Sequence, residues 1–203
     1  MHLAETSLIG VYPIAVVDFQ DVSYLQMIKD ILLSKGKLNT FYDVLVFAGG
    51  DNGIDANAEI FSVGGEPPAV LLASDEQGHA IKARLLSTTY KHCKHKVFEI
   101  SDFVSGAVQF EDLMPPQFIE KFLGDYFDKL LDVNFKFVGG LRLSLTEQIE
   151  EYAKRNNITL PPKYRAKMAK EMKLRVRDMY VDNKIPGSYG KMWLKMMKAL
   201  LGD

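Results

Sequence analysis

The chain has 203 residues, of which 47% are hydrophobic, so it can bury a large core, which argues against wholesale disorder. The formal net charge of -1 identifies no partner by itself, but from Lys163 onward eleven basic residues stand against four acids. This basic end is expected to present a local positive face to phosphate, with ordinary solvated helix faces as the alternative. Cys93 is the only cysteine, so the chain can form neither an intrachain disulfide nor a cysteine-based metal site.

Membrane and targeting signals are missing from the sequence pattern. No apolar stretch approaches the roughly 20 residues that a membrane-spanning helix needs, and no signal peptide precedes Tyr12. We therefore expect a cytoplasmic protein.

The run His92-Cys93-Lys94-His95 contains metal-ligand residue types, but adjacent side chains at a helix end point in different directions. We interpret it as a helix terminus, with metal binding as the alternative.

Short apolar runs bounded by turn residues are typical of strands buried on both faces of a sheet. Four such runs are Pro13 to Val17, Val44 to Ala48, Ala69 to Leu72 and Val97 to Ile100. Val108 to Phe110 is a candidate fifth strand. Helical spacing of apolar residues predicts helices from Asp21 to Leu33, with Asp21 as the N-cap, and from His79 to Tyr90. A turn and a short helix are expected after Gly49-Gly50.

After Pro115 the pattern becomes helical. The predicted helices are Phe118 to Leu131, Leu145 to Tyr152, Tyr164 to Met179 and Met192 to Leu201. Strands that alternate with helices predict an α/β fold with a mainly parallel sheet flanked by helices. We expect this core in residues 1–115 and, in residues 116–203, a C-terminal helical extension that packs on the core and carries the basic helix.

Acidic residues follow several of the predicted strands, and ligands of parallel sheets gather at the carboxyl ends of strands. The acids at these ends are Asp18, Asp21, Asp75, Glu111 and Asp112. Helix caps and turns are the alternative explanation for each of them, and for Asp75 the site is favoured over the cap. Gly49-Gly50 follows the second strand, where it forms either a phosphate cradle or a tight turn.

Five segments resemble, in the same order, the TOPRIM domain of OLD-family (overcoming lysogenization defect) nucleases. They are AVVDFQDVSYL (Ala15 to Leu25), VFAGGD (Val46 to Asp51), VLLASDEQG (Val70 to Gly78), FEDLMP (Phe110 to Pro115) and LPPKYRAKMAKEM (Leu160 to Met172). Two positions depart from the family pattern. Val17 stands where the family has a glutamate, with Asp18 one residue later, and Ala73 replaces the first acid of the Asp-x-Asp motif.

The resemblance implies a TOPRIM-like, Rossmannoid fold and hydrolysis of DNA phosphodiesters with Mg²⁺ or Mn²⁺, which prefer oxygen ligands. The implied metal ligands are Asp18, Asp21, Asp75, Glu111 and Asp112. Asp75 is also an implied catalytic residue, and Lys163 or Lys167 would stabilise charge on the phosphate. OLD-family proteins usually join this module to an ATPase. The chain has no GxxxxGK[ST] loop, so either a partner or a missing domain would supply that activity, or the module would work alone.

The two departures leave other functions open. One alternative is a catalytically inactive TOPRIM-like module that binds nucleic acid or acts as a scaffold for a partner protein. Another is an unrelated α/β domain with a regulatory or small-molecule role. A role in phage defence follows from the family resemblance only, and a homo-oligomer is a further expectation.

Overall fold

The computed structural model describes residues 11–38, 43–62, 65–116, 119, 123, 143–180 and 187–202. This part of the chain contains a four-stranded, all-parallel sheet of strand order β2-β1-β3-β4. The strands are β1 (Val11–Val16), β2 (Asp43–Ala48), β3 (Ala69–Leu72) and β4 (Val97–Glu99). The α/β prediction is confirmed, and the four predicted strands begin and end within two residues of the observed ones.

Helices connect and cover these strands. They are α1 (Phe19–Ser34), α2 (Ile54–Ile60), α3 (Glu76–Ser87), α4 (Leu145–Arg155), α5 (Tyr164–Tyr180) and α6 (Gly187–Leu201). The helix predicted from Phe118 to Leu131 lies outside the described residues, apart from Ile119 and Leu123. No helix in the described ranges combines the length and the hydrophobicity that spanning a bilayer requires.

Alternate residues of each strand pack into two separate cores, one on each face of the sheet. Ile14 and Val16 of β1 lie in the core that contains α1, α5 and α6. Ala15 of β1 and Val70 of β3 lie in the other core, with α2 and α3. Because both faces are covered at the carboxyl half of β1 and along β3, these strands read as continuous apolar runs rather than as alternating ones.

The strand order places a topological switch point between β1 and β3. The chain leaves β1 through α1, on one face of the sheet, and leaves β3 through α3, on the other face. In open α/β sheets, such a divergence of two connections leaves a crevice beyond the carboxyl ends of the strands, and ligands bind there.

Two local predictions were wrong. Residues 108–110 do not form a fifth strand. The Asp112 carboxylate accepts hydrogen bonds from the backbone N–H groups of Val108 (2.8 Å) and Gln109 (2.9 Å). These bonds turn the chain into a 3₁₀ helix, Phe110–Leu113. The N-cap of α1 is Asp18 rather than Asp21. Asp21 occupies the third position of the helix, where its Oδ2 accepts a hydrogen bond from the Asp18 N–H (3.1 Å).

Candidate functional site at the carboxyl edge of the sheet

Three segments that are distant in sequence meet at the switch point, beyond the carboxyl ends of β1 and β3. The first follows β1 and carries Asp18 and Asp21, and the second follows β3 and carries Asp75. The third is the turn that carries Gln109 and Glu111. A hydrogen bond from Ser74 N to Val108 O (2.8 Å) fastens this turn to the segment after β3. The fold therefore brings the acids after β1 and β3 and the acid of the 3₁₀ helix to one edge of the sheet.

Glu111 is fully buried, with 0% exposure, and is paired with Arg165 of α5. The guanidinium donates to both carboxylate oxygens, from Nε to Oε1 at 3.0 Å and from Nη2 to Oε2 at 3.1 Å. Two-point pairing of this kind fixes orientation as well as charge. Burial alone would lower the pKa of Arg165, but Glu111 and Asp21 outweigh it and raise the pKa above its ordinary value, so the guanidinium stays charged.

Gln109 connects this pair to Asp75. Its Oε1 accepts a hydrogen bond from Arg165 Nη2 (2.8 Å), and its Nε2 donates to Asp75 Oδ2 (2.7 Å). Asp75 is the N-cap of α3, and its Oδ1 accepts from Gly78 N (2.7 Å). A continuous polar network therefore runs from the first turn of α3 through Gln109 and Arg165 to Glu111.

Asp21 is the third acid of this edge and is only 5% exposed. Burial, together with the negative charges of Glu111 and Asp18, raises its pKa to about 7, against the lowering effect of the Asp18 backbone N–H and Arg165. Asp21 therefore exchanges a proton near neutral pH.

Contacts between α1 and α5 hold Arg165 in place. The Tyr24 hydroxyl, which is buried, lies 3.9 Å from the sulfur of Met172, and Lys173 donates a hydrogen bond to Gln26. Burial and the neighbouring Glu111 raise the pKa of Tyr24 well above its ordinary value. The basic helix is thus anchored to the helix that carries Asp21.

The other predicted site residues lie differently. Asp18 is exposed at the start of α1. Asp112 uses its oxygens structurally, since Oδ1 accepts from Leu145 N (3.0 Å) and Oδ2 holds the turn described above. Lys163 and Lys167 are exposed. Among the described residues, no hydrogen bond or ion pair joins either lysine to these acids.

Arg165 and Gln109 are the members of the network that the sequence analysis missed. Arg165 lies between the two predicted lysines, and arginine suits two-point pairing with a buried carboxylate better than lysine does. That preference was the available signal for Arg165. Gln109 gives no comparable signal, because its role depends entirely on the neighbours that the fold brings to it.

The two glycine motifs allow close approach of a helix and a strand. A Cβ atom on Gly78 would lie 1.9 Å from Ala73 O, and one on Gly49 would lie 2.5 Å from Ile54 Cγ1. The N–H groups of Gly49 and Gly50 donate to Val16 O (2.8 Å) and Val17 O (2.9 Å), so they extend the β1–β2 pairing. This arrangement favours the tight-turn interpretation of Gly49-Gly50 over a phosphate cradle.

A second charged cluster lies at the end of β4. The carboxylate of Glu99 is bonded to His79 Nδ1 (Oε1, 2.6 Å) and to Lys82 Nζ (Oε2, 3.1 Å), both from α3. Burial alone would raise the pKa of Glu99, but the hydrogen bonds from His79 and Lys82 lower it overall. His79 itself is largely exposed, with 59% of its side chain open to solvent.

The acids do not fit a divalent metal ion in this arrangement. Within the described ranges, no three carboxylate, histidine or cysteine side chains are placed so that they could hold an ion. Both oxygens of Glu111 bind Arg165, those of Asp75 bind Gly78 and Gln109, and Ala73 offers no ligand. The positive charge among these acids is the guanidinium of Arg165.

Comparisons with family models, with curated proteins and with solved structures give no match for this chain. The TOPRIM resemblance therefore stays a prediction that depends on the five sequence segments. What the fold adds is a switch-point crevice with three acids, an arginine and an anchored basic helix.

Proposed function

We propose that the chain is a TOPRIM-type module that binds nucleic acid at the carboxyl edge of its sheet without needing a metal ion. The observation that carries this proposal is the pairing of Arg165 with Glu111, which fixes the basic helix α5 beside the switch-point crevice. Ligands of parallel sheets bind in that crevice. The five segments that resemble the family supply the class of ligand.

The groups that would contact phosphate are exposed lysines rather than Arg165. Arg165 is neutralised by Glu111, whereas Lys163 and Lys167 are exposed on either side of it in the chain. Lysines that neutralise phosphates release condensed counterions, so binding should weaken as salt rises. Contacts of this kind position a strand and read no sequence.

Metal-independent binding also follows from the chemistry of the acids. The buried Glu111 is already balanced by Arg165, and burial raises the pKa of Asp21 to about 7. Both effects reduce the negative charge of this edge, which therefore repels phosphate less than the full set of ionised carboxylates would.

The test is fluorescence anisotropy with labelled single-stranded DNA, single-stranded RNA and duplex DNA, in EDTA and over a series of salt concentrations. We expect binding in EDTA that weakens with salt. The double variant Lys163→Ala/Lys167→Ala should bind less tightly and reduce the slope of log K against log salt by between about one and two.

The matched control is Lys91→Ala/Lys94→Ala, which removes the same charge from exposed lysines at the opposite, amino end of β4. This control should leave affinity and slope nearly unchanged. Equal losses in both double variants would mean that binding follows net charge alone, and no binding by the wild type at low salt would overturn the proposal.

Metal-dependent cleavage is the second candidate function, because Asp21, Asp75 and Glu111 lie at one edge. It requires Glu111 and Asp75 to exchange their present hydrogen-bond partners for an ion. The test is nicking of supercoiled plasmid with Mg²⁺ or Mn²⁺. Cleavage that Asp75→Ala abolishes, but that Asp30→Ala on the exposed side of α1 leaves intact, would replace the first candidate by this one. Cleavage that survives Asp75→Ala would indicate a contaminating nuclease.

The family resemblance extends the proposal to the protein's surroundings. It suggests a cytoplasmic module that works with an ATPase partner or a missing ATPase domain, acts on DNA and takes part in phage defence. The expected homo-oligomer can be tested directly by analytical ultracentrifugation of the purified chain, in which a mass near 22.9 kDa would contradict it.

A further inference from the structure

Phe19 is the most exposed of the large apolar side chains in the described part of the molecule, with 83% of its surface open to solvent. It is the first residue of α1 and follows Asp18 directly, so it stands at the end of β1 that opens into the switch-point crevice. An aromatic ring at this position lies beside the candidate site rather than on a remote surface.

Helices α1 and α5 run side by side in the same direction. The charge of Arg165 acts on Asp21, the Met172 sulfur contacts Tyr24, and Lys173 binds Gln26, so positions later in α5 meet positions later in α1. The amino ends of both helices therefore lie at the carboxyl edge of the sheet. Phe19 shares this edge with the start of the basic helix.

Exposed lysines lie just before and within the first turns of α5. Lys167 and Lys170 are exposed and three residues apart in α5, so they lie along one face of the helix. Lys163, which is also exposed, immediately precedes the helix with a left-handed backbone (φ 57°). The edge thus combines one exposed aromatic ring with a row of positive charges. Proteins that bind single strands use this combination, in which the cations follow the backbone and the ring stacks on a base.

We infer that Phe19 stacks on an unpaired base of a single-stranded nucleic acid whose backbone lies along Lys163, Lys167 and Lys170. This inference rests on the proposed function and names its ligand class. A duplex is disfavoured because its bases already stack on one another and offer no free face to Phe19. A single strand, a frayed end or a loop offers such a face.

The test compares Phe19→Ala with the wild type on a labelled oligothymidylate and on a duplex of the same length. Loss of one stacked base should weaken binding of the single strand by about 5- to 100-fold. Binding of the duplex should be unchanged. The salt dependence of single-strand binding should also be unchanged, because stacking releases no counterions.

Two further variants act as controls. Phe19→Tyr keeps an aromatic face and should retain most of the affinity. Ile60→Ala removes another exposed apolar side chain, with 58% exposure, from the end of α2, and it should leave both affinities unchanged.

Phe19→Trp gives a direct signal. Trp193 is the only tryptophan of the chain and is buried, so a fluorescence change in Phe19→Trp beyond that of the wild type reports on position 19. We expect oligothymidylate to quench this emission and the duplex to leave it unaltered.

Three results would overturn the inference. The first is an unchanged single-strand affinity in Phe19→Ala, and the second is an equal loss on the duplex, which would indicate a general change of the surface. In both cases the wild type still binds nucleic acid, so the proposed function survives. If the wild type binds neither probe at low salt, the proposed function fails and this inference fails with it.

Discussion

Two buried glutamates at the carboxyl edge of the sheet show how differently the same residue type can be used. Glu111 has 0% exposure and receives both of its hydrogen bonds from Arg165, 54 residues away in the chain. Glu99 keeps 10% of its side chain exposed, and its partners His79 and Lys82 come from the neighbouring helix α3. The first pair fastens the helical extension to the sheet, whereas the second fastens α3 to the adjacent strand.

This difference in burial predicts that the two pairs contribute unequally to the free energy of unfolding. It also predicts that the stability of the two clusters responds to pH in opposite directions. Removing one partner of a fully buried pair leaves an uncompensated charge without water, whereas the partners of Glu99 can be replaced by solvent. Near Glu111, the pKa of Asp21 is raised, but at the second cluster the pKa of Glu99 is lowered. The predictions that follow test this contrast, beginning with the largest expected effect.

Arg165→Met should be the most destabilising of these changes. It leaves Glu111 buried without its counter-charge, which costs about 3–5 kcal/mol of the free energy of unfolding. Urea denaturation followed by circular dichroism measures this loss. Adding Glu111→Gln to Arg165→Met should recover part of the stability, because a neutral amide then replaces the buried carboxylate that lost its counter-charge.

Lys163→Met is the matched control for that experiment. It removes a positive charge two residues away, from an exposed position, and should change stability by less than about 0.5 kcal/mol. If Arg165→Met cost no more than this control, Glu111 would not depend on the guanidinium, and the contrast between the two glutamates would be lost.

Asp21→Asn should change how stability depends on pH. The folded state holds the Asp21 proton up to about pH 7, whereas the unfolded chain releases it near pH 4, so wild-type stability falls as pH rises through this range. The amide cannot ionise and keeps an oxygen to accept the Asp18 N–H. The variant should therefore lack this fall and be more stable than the wild type above pH 7.

The size of that effect follows from the two pKa values. A pKa of about 7 in the folded state and about 4 in the unfolded state corresponds to a difference on the order of 2–4 kcal/mol above pH 7. Thermal unfolding at pH 5 and pH 8 measures it. Parallel pH profiles for the wild type and Asp21→Asn would show that the Asp21 carboxylate is already ionised at low pH.

Gly78→Ala should disturb both clusters together. The added Cβ would meet Ala73 O at 1.9 Å, so α3 must move away from the end of β3, at a cost of about 1–3 kcal/mol. α3 carries Asp75 of the first network and His79 of the second. Gly190→Ala in α6 is the control, because its Cβ meets nothing within 4 Å and alanine favours a helix. A neutral or stabilising Gly78→Ala would show that the first turn of α3 adapts freely.

The sheet could be predicted from the sequence because its signals are local. Each buried strand is a continuous apolar run followed at once by turn residues, so the strand at Ala69–Leu72 was predicted with its observed bounds. The capping of α1 was also readable, since Asp18 and Asp21 have the spacing of a capping box. The apolar pattern that begins at Val22 favours Asp21 as the N-cap, but the N-cap of the folded helix is Asp18.

The candidate site could be predicted only in part because its connections are long-range. The position of an acid after a strand indicates that it lies at the edge, which predicted the places of Asp21 and Asp75. Nothing local shows that Glu111 will be paired with Arg165, or that Asp112 will bind the backbone of Leu145. Hydrogen bonds to the Asp112 side chain also explain why residues 108–110 lead into a 3₁₀ helix instead of forming the predicted strand.

Lys82→Met should have the smallest effect of the four changes and defines the lower end of the comparison. Glu99 keeps its bond to His79 and partial access to water, so losing Lys82 should cost roughly 0.2–1 kcal/mol at neutral pH.

Because the pKa of Glu99 is lowered in the folded state, its contribution is present above its ordinary pKa and is lost as pH falls below that value. The wild type and Lys82→Met should therefore converge in stability in acid, which thermal unfolding at pH 3 and pH 7 can measure. If Lys82→Met lost as much stability as Arg165→Met, both glutamates would depend equally on their partners. Their difference in burial would then have no effect on the free energy of unfolding.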